Sequence, residues 1–252
     1  MSMSAFNWNY PTLLSHRGAG KHAPENTLAA VRLGAQHGFK MMEYDVKLSR
    51  DGEAILLHDD DIDRTSNGRG LASTYRLAEL LQFDFGSWLS PDYVAEPILT
   101  LNTMAAYTIA QGICSNIEIK PETGFEAETG ARVARIARDL WQNAALPPLL
   151  SSFSEITLEA AKLAAPELPR ALLIEKHLPS DYLERLARLN CVSLNLDNRL
   201  ATETIIKATQ AAGYEVCIWT VNDPARAREL IKWGCKGIVT DAIDTISPQH
   251  KF

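Results

Sequence analysis

The sequence predicts a TIM (β/α)8 barrel, an α/β fold, as a single domain over residues 1–252. Short apolar or β-branched runs alternate with longer stretches of helical spacing, which is typical of parallel strands joined by crossover helices. Eight such runs are present, and eight strands close this barrel. A doubly wound open sheet is the alternative, but the chain has no glycine-rich dinucleotide loop.

The predicted strands are named here by their sequence letters and approximate positions. They are "TLLSH" near 12, "MMEYDV" near 41, "SNIEIK" near 115, "PLLSS" near 148, "RALLI" near 170, "CVSLNL" near 191, "EVCIWTV" near 215 and "GIVTD" near 237. Helical spacing fills the intervals between them. In the first helix, "NTLAAVRLGAQHG", Asn26 is the expected N-cap and Gly38 lies beyond the expected end.

The interval after the second strand is longer than one helix requires. This length predicts a small insertion at roughly residues 50–100. The segment contains an extra apolar run, "AILLHD", and an aromatic stretch, "FDFGSWLSPDY". Long excursions of this kind in compact domains are often functional loops. The acidic run "DDDIDRTSNG" is not an EF-hand, because Arg64 stands where the loop needs glycine and Gly70 where it needs glutamate.

Composition excludes several classes of function. The net charge of -6 argues against a broad nucleic-acid footprint. No apolar run approaches the ~18 residues of a membrane span, and the first residues lack a signal-peptide pattern, so a cytoplasmic protein is expected. The four cysteines form no C-x-x-C pair, which disfavours a zinc cluster or a disulfide framework.

Acidic residues stand late in two neighbouring predicted strands. Glu43 and Asp45 share one strand face, as do Glu118 and Lys120. Because barrel active sites lie at the carboxyl ends of the strands, the three carboxylates can converge there. Their mutual repulsion would call for a hard divalent cation, Mg²⁺ or Ca²⁺. The alternative is ordinary ion pairing, Glu118 with Lys120 and Asp45 with Lys47.

Two histidines favour a functional site at these acidic residues over ordinary ion pairing. His16 ends the first run and His58 ends the extra run, and two histidines beside acidic strands make an acid/base pair. Arg17 and Lys120 would add positive charge for a phosphate oxygen, although a salt bridge from Arg17 to Glu25 is equally consistent with the sequence. Trp219 ends another run and would line the pocket unless it is core.

These residues stand in motifs that closely resemble the glycerophosphodiester phosphodiesterase family, in particular its short bacterial cytosolic members. The likeness runs nearly end to end. It is carried by "HRG" at 16–18, "PENT" at 24–27, "EYDVKLSRDG" at 43–52, "LHDDDIDRTSNG" at 57–68, "NIEIKP" at 116–121, "SSF" at 151–153, "WTVN" at 219–222 and "VTDAID" at 239–244.

The resemblance implies a barrel with a small insertion after the second strand. It implies metal-dependent hydrolysis of glycerophosphodiesters, such as glycerophosphocholine and glycerophosphoethanolamine, to sn-glycerol 3-phosphate and an alcohol. The implied roles are metal ligands for Glu43, Asp45 and Glu118, general acid and base for His16 and His58, phosphate contacts for Arg17 and Lys120, and a wall for the glycerol for Trp219.

The expected partners follow from this assignment. They are a small-molecule glycerophosphodiester and one divalent cation, with no nucleic acid and no stable membrane association, and homodimerisation is left open. Two rival functions are weighed against it: a phospholipase D- or C-like enzyme acting on phospholipid or lysophospholipid, for which "FDFGSWL" would supply an apolar rim, and a non-catalytic phosphate-binding barrel.

Overall fold

The computed structural model describes residues 6–249, which form one sheet of nine strands with helices between them. The strands are β1 Leu13–Ser15, β2 Met41–Leu48, β3 Ala54–Leu56, β4 Cys114–Ile119, β5 Leu149–Ser152, β6 Arg170–Ile174, β7 Ser193–Asp197, β8 Glu215–Trp219 and β9 Gly237–Thr240. The α-helices are α1 Leu28–Gln36, α2 Leu77–Leu80, α3 Leu101–Ala110, α4 Glu126–Trp141, α5 Glu155–Ala164, α6 Tyr182–Arg188, α7 Glu203–Ala211 and α8 Pro224–Lys232. Single 3-10 turns cover Ala72–Thr74 and Pro91–Tyr93.

Eight of the nine strands close a parallel barrel. The order around it is β1-β9-β8-β7-β6-β5-β4-β2, and pairing of β1 with β2 completes the ring. These eight strands coincide with the eight apolar runs of the sequence, so the predicted TIM barrel is confirmed. β3 pairs antiparallel with the last residues of β2, beyond the reach of the short β1.

The first helix begins differently from the sequence prediction. Thr27, not Asn26, is the N-cap of α1, and its hydroxyl accepts the backbone N–H of Ala30 at 3.2 Å. Asn26 instead has φ of 60° and directs its amide to Asp45, donating to the carboxylate at 2.9 Å and accepting the backbone N–H at 3.1 Å. The expected N-cap is therefore wrong because a long-range contact recruits the Asn26 side chain.

The interior of the barrel is divided along its axis. Its amino-terminal half holds a cluster of buried apolar side chains. The members are Tyr10, Leu14, Met41, Leu149, Ala171, Cys217 and Val239. The carboxyl-terminal half instead buries polar groups, among them Glu43, Asp45 and Asn116. A larger apolar layer lies between the strands and the helices. The buried carboxylates Glu43 and Asp45 thus lie on the carboxyl-terminal side of the apolar cluster.

The chain between β2 and β4 has a small core of its own, made of Ile55, Leu57, Ile62, Ala72, Leu80, Phe85 and Ile98. Within "FDFGSWL", Phe85 is buried and Trp88 is tied to it, because the indole N–H donates to the Phe85 carbonyl at 2.9 Å. Trp88 and Leu89 nevertheless remain exposed, so this stretch keeps a modest apolar surface at its end. The single-domain assignment over residues 1–252 stays a prediction.

No helix among residues 6–249 is both long enough and apolar enough to cross a membrane. Cys114, Cys191, Cys217 and Cys235 all carry free thiols.

The loop after β1 closes tightly against the end of β9. Gly20 has φ of +56°, and a Cβ at this position would lie 2.3 Å from the backbone of Asp241. Gly112 has a similar φ of +62° but open space around its Cα. The two glycines therefore share a backbone requirement and differ in crowding.

We expect Gly20→Ala to lower the free energy of unfolding by about 1–3 kcal/mol more than Gly112→Ala, because only the first forces the backbone apart. Urea unfolding of the two variants and the wild type measures the difference. Equal losses would contradict the close approach at Asp241.

Candidate active site

Three carboxylates meet at the carboxyl end of the barrel. Glu43 and Asp45 lie on β2 and Glu118 on β4, and Asp45 stands directly opposite Glu118 in the sheet register. One oxygen from each of the three lies within 4.8 Å of the others. The predicted convergence of these residues is therefore present in the structure.

This cluster is electrostatically strained without a cation. Burial, together with the charge of Asp45, raises the pKa of Glu43 to about 8 and that of Glu118 to about 7. Burial also opposes ionisation of Asp45, but Arg17 and His58 reverse this effect and lower its pKa. Oε1 of Glu43 is buried and has no hydrogen-bond partner among the described residues. A hard cation with oxygen ligands fits these donors.

Arg17 and Lys120 bring positive charge to the cluster. The Arg17 guanidinium donates to Glu25 at 2.9 Å and its Nε lies 3.4 Å from Asp45. Lys120 Nζ donates to Glu118 at 3.1 Å. Two of the ion pairs considered from sequence thus exist, Arg17 with Glu25 and Lys120 with Glu118, and both cationic side chains also lie against the carboxylate cluster. The third does not, because Lys47 reaches Asp60 at 2.5 Å instead of Asp45.

His16 is held by a carboxylate that the sequence reasoning missed. Its Nδ1 donates to Asp241 at 2.6 Å, and its Nε2 lies 3.8 Å from Glu43. Asn222 fixes Asp241 in turn, donating to its carboxylate at 3.1 Å and accepting its backbone N–H at 2.8 Å. Asp241 directly follows β9, so its place at a strand end was the available signal.

His58 has a carboxylate partner of its own, also missed from sequence. Leu57 donates its backbone N–H to the carbonyl of Asp45 at 3.2 Å, which brings the end of the β3 segment to the cluster. The Nδ1 of His58 then donates to Asp59 at 2.7 Å. Burial lowers the pKa of His58, and the opposing effects of Asp45 and Asp59 do not cancel it.

Trp219 lies at the same end of the barrel as the last residue of β8. Its ring meets that of Phe153 edge to face at 5.4 Å, and Lys120 Nζ lies 5.9 Å from the centre of the Phe153 ring. The indole nitrogen is buried without a hydrogen-bond partner among residues 6–249. Trp219 and Phe153 therefore form an aromatic wall, of which the sequence had indicated only the first residue.

A cavity of about 290 Å³ opens beside this wall and is lined by Glu118, Lys120, Phe153 and Asp60. A larger cavity of about 790 Å³ lies at the opposite end of the barrel, where Arg170 and Tyr214 line it. It contains none of the predicted site residues. The smaller cavity is the one that adjoins the carboxylate cluster, which makes this end of the barrel the candidate active site.

Comparison with known proteins gives a consistent result. The family model of the glycerophosphoryl diester phosphodiesterase family matches residues 16–245. A glycerophosphodiester phosphodiesterase of Caldanaerobacter subterraneus subsp. tengcongensis is 30% identical over 234 residues, which are 93% of this chain and 95% of the relative.

Two solved structures extend the likeness to the fold. A phosphodiesterase of Oleispira antarctica, in complex with the product sn-glycerol-3-phosphate, aligns with a TM-score of 0.86 and 36% identity, covering 92% of this chain and 94% of that chain. A glycerophosphodiester phosphodiesterase from Agrobacterium tumefaciens aligns with a TM-score of 0.80 and 26% identity, covering 93% and 98%.

We expect Mg²⁺ or Ca²⁺ to raise the melting temperature, because a ligand that binds only the native state stabilises it. At a cation concentration of 100 times Kd the gain is about 2.7 kcal/mol, which corresponds to about 5–10 °C for a chain of this size. Differential scanning fluorimetry after chelation and cation addition measures the shift. Glu43→Gln and Glu118→Gln should abolish it, whereas Glu184→Gln, an exposed carboxylate on α6, should retain it. An undiminished shift in both site variants would contradict the assigned cation site.

Proposed function

The chain belongs to the glycerophosphoryl diester phosphodiesterase family and is a glycerophosphodiester phosphodiesterase, and we propose that it works with one divalent cation and two histidines. The proposed reaction converts glycerophosphocholine or glycerophosphoethanolamine to sn-glycerol 3-phosphate and the free alcohol. The observation that carries the proposal is the meeting of three carboxylates, two carboxylate-bound histidines and two cationic side chains, Arg17 and Lys120, at the carboxyl end of the barrel. The product complex of the Oleispira antarctica relative supports the identity of the phosphate product.

Charge is the first problem that the site has to solve. A phosphodiester is an anion, and further negative charge develops on the oxygens around phosphorus in its pentacoordinate transition state. Glu43, Asp45 and Glu118 would hold the cation, Mg²⁺ or Ca²⁺, which supplies Lewis-acid stabilisation of that charge when bound. Arg17 and Lys120 already lie against these carboxylates, and their charges are available to phosphate oxygens.

Proton transfer is the second problem. One histidine accepts the proton of the attacking oxygen, and the other donates a proton to the alcohol as its bond to phosphorus breaks. The attacking oxygen belongs either to water, which gives sn-glycerol 3-phosphate directly, or to the neighbouring glycerol 2-hydroxyl. The second route gives a cyclic phosphate, which water then opens in a further step with its own pair of proton transfers. Asp241 and Asp59 each bind the Nδ1 of their histidine, which leaves both Nε2 atoms available for this exchange.

The aromatic wall suits the glycerol end of the substrate. Trp219 and Phe153 offer apolar ring surface to the carbon skeleton, and the partnerless indole N–H is available to a hydroxyl oxygen.

The proposal includes one catalytic domain over residues 1–252 in the cytoplasm. Support for the cytoplasm comes from the four free thiols, which are typical of reducing compartments.

The direct test is the release of glycerol 3-phosphate from glycerophosphocholine. We expect turnover with Mg²⁺ or Ca²⁺, its loss after chelation and its return when the cation is added back, because the carboxylates cannot offset substrate charge by themselves. A coupled assay for glycerol 3-phosphate measures the rate. Turnover that chelators leave unchanged would overturn the metal dependence, and absence of turnover with either cation would overturn the proposed reaction.

The histidine roles are separated by the leaving group. His16→Ala and His58→Ala should each remove most activity on glycerophosphocholine while the circular dichroism spectrum stays native. On the p-nitrophenyl ester of glycerol 3-phosphate, whose phenolate leaves without protonation, one of the two variants should regain much of its rate, and that histidine is the acid. Near-normal activity of either variant on glycerophosphocholine, or equal losses on both substrates for both variants, would contradict the acid/base pair.

A further inference from the structure

Arg64 lies in the chain between β3 and the 3-10 turn at Ala72–Thr74, outside the group of residues assigned to catalysis. Each nitrogen of its guanidinium reaches a carboxylate. Nε donates to Asp59 at 2.6 Å, while Nη1 and Nη2 donate to the two oxygens of Glu25 at 2.7 and 2.8 Å. A bidentate, charge-assisted contact of this kind fixes direction as well as distance.

Both carboxylates continue to residues of the site. Asp59 binds the Nδ1 of His58 at 2.7 Å. Glu25 accepts from the Arg17 guanidinium at 2.9 Å, through the same oxygen that accepts from Nη2 of Arg64. Arg64 thus stands at the midpoint of a continuous path from the proposed acid/base residue to the proposed phosphate contact.

The path crosses between two separate pieces of chain. Glu25 and Arg17 belong to the loop between β1 and α1, whereas Asp59 and His58 follow β3. The side chains of Glu25 and Asp59 are 11% and 28% exposed, and that of Arg64 is 44% exposed. The Arg64 side chain is therefore more exposed to water than the two carboxylates that it joins, and it lies on their solvent side.

Exposure also limits what Arg64 contributes to stability. Ion pairs at this level of solvent contact typically contribute about 0–1 kcal/mol to folding. Orientation is a different matter. Among residues 6–249, Asp59 without Arg64 keeps one ion-pair partner, His58, whose charge depends on its protonation, and Glu25 keeps Arg17 alone. The contacts of Arg64 are therefore better matched to holding two site residues in place than to holding the fold together.

We propose that Arg64 is a positioning residue that sets His58 through Asp59 and Arg17 through Glu25, so that the β3 segment and the β1–α1 loop present both residues to one substrate. This inference rests on the proposed function of His58 and Arg17. A lysine cannot replace Arg64 fully, because one ammonium group does not reproduce a planar fork with donors to two carboxylates.

The test compares Arg64→Ala with Arg69→Ala in the full-length protein with added Mg²⁺ and glycerophosphocholine. Arg69 is a matched control, since it lies in the same segment, is 73% exposed, comes no closer than 3.9 Å to the Asp63 carboxylate and donates to backbone carbonyls. We expect kcat/KM of Arg64→Ala to fall about 10- to 100-fold, as is common when a residue that orients a site group is removed. Arg69→Ala should stay within about twofold of the wild type.

Two measurements separate positioning from damage to the fold. Guanidinium ion, added below denaturing concentrations, should restore part of the rate of Arg64→Ala and none of that of Arg69→Ala or His58→Ala. In a double-mutant cycle, Arg64→Ala combined with Asp59→Asn should cost little more than the larger single loss, because both changes interrupt the same path. Melting temperatures of all variants accompany the rates.

Arg64→Lys provides the second variant in case Arg64→Ala folds poorly. It should fall between wild type and Arg64→Ala and should show the same non-additivity with Asp59→Asn. Wild-type rates in Arg64→Lys, additive losses without guanidinium rescue, or equal rates for Arg64→Ala and Arg69→Ala would each overturn the inference while leaving the proposed function intact. Absence of hydrolysis by the wild-type protein would overturn the proposed function and this inference with it.

Discussion

The repulsion among Glu43, Asp45 and Glu118 is the constraint around which this end of the molecule is arranged. Three carboxylates with oxygens within 4.8 Å of one another, in a largely buried site, cannot all ionise without compensation. Compensation comes from every side: Arg17 and Lys120 as charges, and Asn26 as a donor to Asp45. The partnerless oxygen of Glu43 marks where this compensation is incomplete, and a divalent cation would complete it.

The barrel makes such a cluster tolerable by separating apolar packing from charge. Apolar residues fill its amino-terminal half, so much of the hydrophobic packing inside the barrel lies away from the charged groups. The three carboxylates stand within β2 and β4, where neighbouring strands anchor the backbone, and His16 and Lys120 directly follow β1 and β4. The histidines reach the cluster from different directions, His16 from β1 and His58 from the β3 segment, and each brings a carboxylate partner. Strands thus carry the carboxylate cluster, while the segments that follow β1 and β3 carry the two histidines proposed to transfer protons.

Periodicity was enough to predict the eight parallel strands and the shared face of Glu43 and Asp45, because both follow from local geometry. Contacts between distant parts of the chain were not predictable in the same way. Asp241 meets His16 across 225 positions, and Arg64 meets Glu25 across 39. Asparagine is a residue type favoured at N-caps, yet the Asn26 amide hydrogen-bonds to Asp45 and Thr27 caps the helix. Lys47 shares a strand face with Asp45, but its long side chain extends to Asp60. Local sequence rules indicate which interactions each residue can make, and the contacts between distant segments in the closed barrel determine which of them form.

The central claim, that the three carboxylates bind one catalytic cation beside the phosphate contacts, is tested most directly by a crystal structure with Mg²⁺ or Ca²⁺ and sn-glycerol 3-phosphate. The account predicts one ion bound by oxygens of Glu43, Asp45 and Glu118, at about 2.0–2.6 Å, with the phosphate between Arg17 and Lys120. An ion bound elsewhere, or glycerol 3-phosphate seated away from the carboxylate cluster, would contradict it.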